Sequence, residues 1–380
     1  MSGVKRLFGL GCCWACLPAF APAPEVRLAY DLTGLSEQPA AVELSQPAPE
    51  PPTRLPYDLD GLFDNGPPTA APATTAARRG TARRPTVDAR LTLDLAVAAD
   101  SNINNATDLP VVLVDYGEGP VPVPLGAESR RRSGIGLSVG GSATADVRLS
   151  EQAVIAADAE AYLVDQRGEA NDDASLLLAI GPEVGWDGGG LASIQMIAFQ
   201  RWYGGTTASV GTGVRGALRL PAGTGRSLRL LAEARMFSSD YGRDFDGSLA
   251  SVSVSYDAVL TPGMSGTAGF YLRRYWLGSD AFSNAELGFY GGVSRYFGEH
   301  LVGSLSAGVS RAVFDAPMAW MSADARRDWR VHGSLSARTR RPLLWSFHPS
   351  LAYSYGRTDS SVLFYDADRH VVRVGLGASF

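Results

Sequence analysis

The chain has 380 residues, 45% of them hydrophobic and 19% charged, and a formal net charge of −5. That balance excludes the basic footprint left by nucleic-acid binding. All three cysteines, Cys12, Cys13 and Cys16, stand near the start, so the rest of the chain can hold neither a disulfide framework nor a cysteine metal site.

Residues 1–23 read MSGVKRLFGLGCCWACLPAFAPA. Lys5 and Arg6 give a charged start, Leu7 to Phe20 an apolar stretch, and small residues follow. This is the pattern of a secretory signal and is too short for a transmembrane helix. Ordinary cleavage is expected, with lipidation at Cys12 as the alternative.

Residues 24–85 are rich in Pro and Ala. A segment of that composition cannot bury enough surface to offset its ordering entropy, so a disordered periplasmic arm is expected. Inside it RLAYDLTGL (27–35) recurs as RLPYDLDGL (54–62). Tyr30, Leu32 and Leu35, with Tyr57, Leu59 and Leu62, are candidate anchors of a short motif that orders on a partner. A leftover duplication in a linker is the other reading.

From Thr86 onward apolar residues recur at every second position. In SVSVSY (251–256), Val252, Val254 and Tyr256 share one face and three serines the other. Fourteen such stretches follow, at 86–98, 133–147, 153–166, 173–185, 190–203, 207–221, 226–239, 248–260, 265–277, 284–297, 300–314, 327–340, 345–358 and 368–380. Tight turns such as DGGG (187–190), PAGTG (221–225) and TPGM (261–264) alternate with longer connections such as 99–132 and 315–326. The fold expected for 86–380 is all-β: a transmembrane up-and-down antiparallel β-barrel of 14 strands, in the bacterial outer membrane. Sandwich strands are shorter, near five or six residues.

Aromatics gather near strand ends, at Trp186, Trp202-Tyr203, Tyr275-Trp276, Tyr296-Phe297, Trp345 and Phe347, as an interfacial girdle requires. At the C-terminus Val372, Val374, Leu376, Ala378 and Phe380 are expected to face lipid, and Arg373, Gly375, Gly377 and Ser379 the lumen. The last strand must pair with the first, because an open edge in lipid leaves backbone groups unsatisfied. The stretch carrying Arg373, Gly375 and Phe380 also resembles the C-terminal signal read by the bacterial barrel-insertion machinery, with Ala378 a small stand-in for an apolar residue.

No H-E-x-x-H or P-loop occurs. His332 falls near Ser334 on a polar face, but no acid stands at a telling spacing, so a lumen-facing polar pair is the expectation. Asp172-Asp173 and Asp324 lie in loops, where solvation accounts for them better than loosely held calcium. Neither an enzyme nor a cofactor is expected. Asp94, Arg229, Glu233, Arg235, Asp257, Arg330, Arg338 and Arg373 should line the interior, and their mixed signs argue against strong ion selectivity.

The segment AADSNINNATD (98–108) follows the first strand, and YDADRH (365–370) opens the last. The first resembles the Asp-Ser-Asn-Ile-Asn signature of the surface lipoprotein assembly modifier family, and the second, with the terminal Phe, resembles that family's closing hairpin. The resemblance implies that Asp100, Ser101, Asn102, Ile103 and Asn104, with Tyr365, Asp366, Asp368, Arg369 and His370, are family motifs at the outer end of the closure seam. Arg369 or His370 would there hydrogen-bond Asp100 or Asn102. It also implies an outer-membrane translocator that helps client lipoproteins reach the surface, with lipid, the barrel-assembly machinery and an unidentified client as partners. The helical tetratricopeptide domain typical of the family does not fit residues 22–85. A pore for passive diffusion of small solutes is the alternative.

Overall fold

The computed structural model describes residues 87–380 apart from 116–118, 167–170, 319 and 343–345. The leader, the arm with its twin motifs at Tyr30, Leu32, Leu35, Tyr57, Leu59 and Leu62, and Trp345 lie outside the described residues.

Sixteen strands follow one another: β1 (Val87–Asp100), β2 (Val111–Asp115), β3 (Pro120–Pro124), β4 (Gly134–Arg148), β5 (Ala153–Gln166), β6 (Asp173–Trp186), β7 (Gly190–Tyr203), β8 (Thr206–Pro221), β9 (Arg226–Ser238), β10 (Gly247–Thr261), β11 (Met264–Leu277), β12 (Asn284–Phe297), β13 (Leu301–Pro317), β14 (Ala325–Thr339), β15 (Phe347–Ser360) and β16 (Ala367–Ser379). Fourteen of them, β1 and β4 to β16, close into one barrel in chain order, each antiparallel to its neighbours. β2 and β3 form a separate hairpin within the connection from β1 to β4.

The alternation that writes these strands also sets their faces. In β10, Val252 and Tyr256 are exposed on the outside, while Ser255 and Asp257 are buried within. Leu176, Leu178 and Ile180 of β6, Ile194 and Met196 of β7, and Val372 and Val374 of β16 are likewise exposed. A continuous apolar exterior of this extent is the surface that acyl chains solvate. With strands of 13 to 17 residues in the closed barrel, each is long enough to cross a bilayer at a tilt.

Of the girdle expected from sequence, Trp186, Trp276 and Phe297 are exposed. Tyr203 and Tyr275 are instead buried at 0% and 2% exposure. The reason is the period of two: in Trp202-Tyr203, Tyr275-Trp276 and Tyr296-Phe297 only one member of each pair can face lipid.

The connections are of two kinds. Residues 187–189 and 262–263 are tight turns at the end where Val87 and Phe380 lie, while 101–133, 239–246, 318–324 and 361–366 are longer and gather at the other end. Two connections depart from this: the longer 340–346 at the turn end, and the two-residue connection between β7 and β8, where Gly204 and Gly205 take φ of 51° and 81°. Positive φ at both central residues is what a tight hairpin turn demands, and glycine supplies it without strain. At the loop end Val112 and Val114 of β2 pack with Met318, Val362, Phe364 and Tyr365. A second cluster joins Tyr203, Ala208, Tyr241 and Phe245, and Phe282 touches both.

Candidate functional site: the seam and the lumen

The barrel closes where β16 meets β1, in register from Thr92↔Ser379 to Asp100↔Val371. Beyond that ladder Leu91 and Phe380 exchange both backbone bonds, at 3.1 and 2.8 Å. The terminal phenylalanine therefore supplies the last rung. Gly375 sits opposite Ala96, where an added Cβ would lie 2.7 Å from the Leu95 carbonyl.

Of the residues singled out by the resemblance, Asp100, Ser101, Asn102, Asp368, Arg369 and His370 meet at the loop end of this seam. Asp100 accepts from the Arg369 Nε at 2.8 Å and from the same guanidinium's Nη2, and its other oxygen accepts from the Asn102 N–H at 2.8 Å. Asn102 is fully buried, and its Nδ2 donates to the carbonyls of Asp368 (2.9 Å) and Ala106 (3.0 Å). The Ser101 N–H donates to the His370 carbonyl at 2.9 Å, and the His370 N–H returns a bond to Ser101 Oγ at 2.8 Å. Arg131 joins Asp108 and Asp368, at 3.1 and 3.0 Å. Ile103 and Asn104 grip the returning chain instead: the Ile103 N–H donates to the Arg132 carbonyl (2.7 Å), and Asn104 Nδ2 to that of Arg130 (2.8 Å). Tyr365 and Asp366 stand apart from Asp100. Tyr365 packs in the loop cluster under the Arg326 guanidinium, 3.6 Å from its ring, and Asp366 accepts from the Ser360 N–H at 2.5 Å. Burial holds the Asp366 carboxyl above the usual carboxylate range, and the Ser360 bond opposes this.

Deeper in the seam Arg373 reaches from β16 across β1 to β4. Its Nη2 lies 3.6 Å from Asp94 and donates to Ser138 Oγ at 2.8 Å. Two arginines thus brace the inner face of the closure, one near mid-wall and one at the rim.

The inward faces elsewhere differ by sector. On β6 to β11, Leu177, Ile197, Phe199, Phe237, Leu249 and Tyr275 form a buried apolar cluster inside the barrel. Phe199 and Phe237 meet edge to face at 6.3 Å across Gly211, which pairs with both. Arg235 lies 4.9 Å over the Phe199 ring and pairs with Glu233 at 2.5 Å, which Arg215 also reaches at 2.9 Å. Arg201 pairs with Asp173 at 2.7 Å. Sequence reading expected a polar inner face and missed this cluster. Its trace in the sequence is doubled apolar positions, Leu176-Leu177-Leu178 and Met236-Phe237, where both faces of a strand are apolar.

On β12 to β16 many inward positions are small, among them Ser304, Ser306, Ser334, Ser354, Gly356 and Gly375, and the charged side chains between them, Glu286, Arg326, Asp328 and Arg330, pair with one another. The larger inward rings of this side lie against the wall. Tyr271 covers Gly288 on the next strand, and His332 covers Gly308; a Cβ at either glycine would collide with the ring. Tyr271 Oη donates to Glu286 at 2.6 Å, and Glu286 also receives Arg330 at 3.1 Å. Ser306 and Ser334 hydroxyls bond at 2.6 Å. His332 and Ser334 are thus separate parts of the wall. Arg229 pairs with Asp257 at 3.1 Å. The inward charges read from sequence are present, and Glu286, Arg326 and Asp328 belong to the same register but went unread.

A closed fourteen-stranded barrel with an apolar exterior and charged, hydroxyl-bearing inner walls is a bacterial outer-membrane protein. The model of the surface lipoprotein assembly modifier family matches residues 90–380, and the chain belongs to that family. None of the curated proteins matches it. Among solved structures it is similar to the outer membrane channel DcaP of Acinetobacter baumannii, at 12% identity and TM-score 0.41, covering 77% of this chain and 97% of that one. It is also similar to a Pseudomonas aeruginosa FadL homologue, at 11% identity and TM-score 0.45 (77% and 90%), and to the NanC porin, at 11% and 0.36 (60% and 98%). At such identities the likeness is one of fold.

The leading expectation of a translocator for client lipoproteins is corrected here. The solved structures similar in fold include named channels and a porin. The physical reason lies in the lumen, where the apolar cluster and ion pairs of β6 to β11 turn inward and occupy part of the interior.

Proposed function

We propose that the protein is an outer-membrane pore for passive diffusion of small polar solutes. The observation that carries this reading is the inner wall of β12 to β16, where many inward side chains are serine and glycine, where Glu286, Arg326, Asp328 and Arg330 pair with one another, and where Tyr271 and His332 lie against the wall. Side chains laid along a wall leave its axis to water, whereas side chains pointing inward would fill it. The hydroxyls offer a passing solute both donors and acceptors.

The remaining parts fit around that task. Residues 24–85 would form a periplasmic arm after removal of the 1–23 signal, with Tyr30 and Tyr57 at the heads of its two motifs. Arg373, Gly375 and Phe380 would be read by the barrel-assembly machinery, and the Asp100 to Asn104 and Tyr365 to His370 motifs would hold the seam and the adjoining loops. The test is reconstitution of the full chain into liposomes and planar bilayers. Swelling in small sugars or amino acids with a steady conductance is the expected result. Liposomes that stay impermeable to every small solute, with no conductance, would refute the pore.

A further inference from the structure

The outer surface is not uniform in charge. Near the loop end, the outward cations of the strands fall on β11 to β16: Arg274, Arg311, Arg327, Arg357 and the exposed His370. The corresponding outward positions of β6 to β10 hold residues such as Ala174, Trp202, Thr212, Ser238 and Ser248. Arg274 is occupied by Asp315, whose carboxylate it reaches at 2.6 Å. Among the described residues no ion pair joins Arg311, Arg327 or Arg357 to a carboxylate; Asp359, opposite Trp329, shares their face, so three guanidinium groups stand around one carboxylate.

These three arginines surround one lipid-facing tryptophan. Arg311 on β13 stands opposite Trp329 on β14, with its guanidinium 5.5 Å from that ring. Arg357 on β15 stands opposite Val331, the next outward residue of β14, and Arg327 is the outward residue before Trp329. Strands two apart lie about 10 Å from each other, so Arg311 and Arg357 can close from both sides on one group held above β14. Trp329 and Val331 are exposed at 51% and 45% and continue the apolar belt below. An unpaired guanidinium at the edge of hydrocarbon is costly unless an anion meets it, and its fork matches a phosphate.

We propose that Arg311, Arg327 and Arg357 form a site for a phosphate of a phosphorylated glycolipid in the outer leaflet, whose acyl chains lie along Trp329 and Val331. Phosphate supplies the counter-charge that Asp359 alone leaves short, at the depth where head groups begin, and the tryptophan marks that depth. The site concerns the exterior and stands whether or not the lumen conducts.

The experiment is native mass spectrometry of the full chain in detergent, titrated with bis-phosphorylated lipid A, its dephosphorylated form and phosphatidylglycerol. Lipid A should bind. The R311Q/R357Q double variant should bind it about tenfold more weakly, the loss expected when charge-assisted hydrogen bonds are removed. Arg295→Gln, outward at the turn end, serves as the control and should bind as the parent does. Should the double variant not fold, R311K/R357K keeps the charge, loses the fork and should weaken binding to a lesser degree. Equal binding by the double variant, or by R311K/R357K where that stands in for it, would overturn the site. So would equal binding of the dephosphorylated lipid or of phosphatidylglycerol.

Discussion

The inner walls of β6 to β11 and of β12 to β16 obey the same alternation and carry opposite contents. The first presents Phe199, Phe237 and Leu249 under paired arginines. The second presents serine and glycine between charges that pair along the wall, such as Arg330 with Glu286, with rings laid over Gly288 and Gly308. A strand's lipid-facing side has one solvent and must be apolar. Its inward side can be packed, as on the first wall, or left to water, as on the second.

Four experiments break or sharpen that contrast. The largest effect is expected at the seam, which both walls depend on for closure. Arg369→Ala leaves the Asp100 carboxylate, 1% exposed, without its guanidinium, and an orphaned buried charge costs about 3–5 kcal/mol. Its heat-resistant folded band on a gel should disappear at a markedly lower temperature. Unchanged migration would show that the pairing does not hold the barrel shut. Next is the packed wall: Phe199→Ala removes a ring packed on Phe237 and Arg235 and should lower stability by about 3 kcal/mol, read by the same gel shift.

The open wall should respond in transport instead. Gly308→Leu pushes His332 off the wall and into the lumen, and conductance should fall several-fold while the folded band persists. A conductance equal to the parent's would place the solute path elsewhere. The smallest effect is expected at Asp366. Its folded pKa is raised, so its carboxyl favours the folded loop at low pH, and that preference is lost as pH rises through the folded value. Hydrogen exchange of residues 361–366 should therefore show slightly weaker protection at neutral pH than near pH 4 once intrinsic rates are removed, and Asp366→Asn should flatten the difference.

Much of the barrel was legible in the sequence because the outer face admits so little variation. The strand expected at 284–297 is β12, and the one at 153–166 is β5. The seam residues were legible only through likeness to a family, since no spacing rule brings Asp100 to Arg369 across 269 positions. The packed wall was not read, because a doubled apolar position such as Leu177 beside Leu176 is ambiguous until the strand's neighbours are known. The β2–β3 hairpin went unread for a related reason. VVLVD is apolar enough for a strand, but PVPVP looks like a breaker by composition.

That hairpin has a consequence of its own. The rungs to β2 leave Val121 and Val123 as the residues of β3 able to give an N–H, because Pro120, Pro122 and Pro124 alternate with them and have none. Donors on alternate residues point the same way, so the side of β3 turned from β2 offers carbonyls alone. A ribbon standing at the mouth of a membrane protein would otherwise recruit passing extended segments into a growing sheet. Here the invitation is withdrawn by imino acids rather than by charge, which leaves the neighbouring valines free to stay greasy.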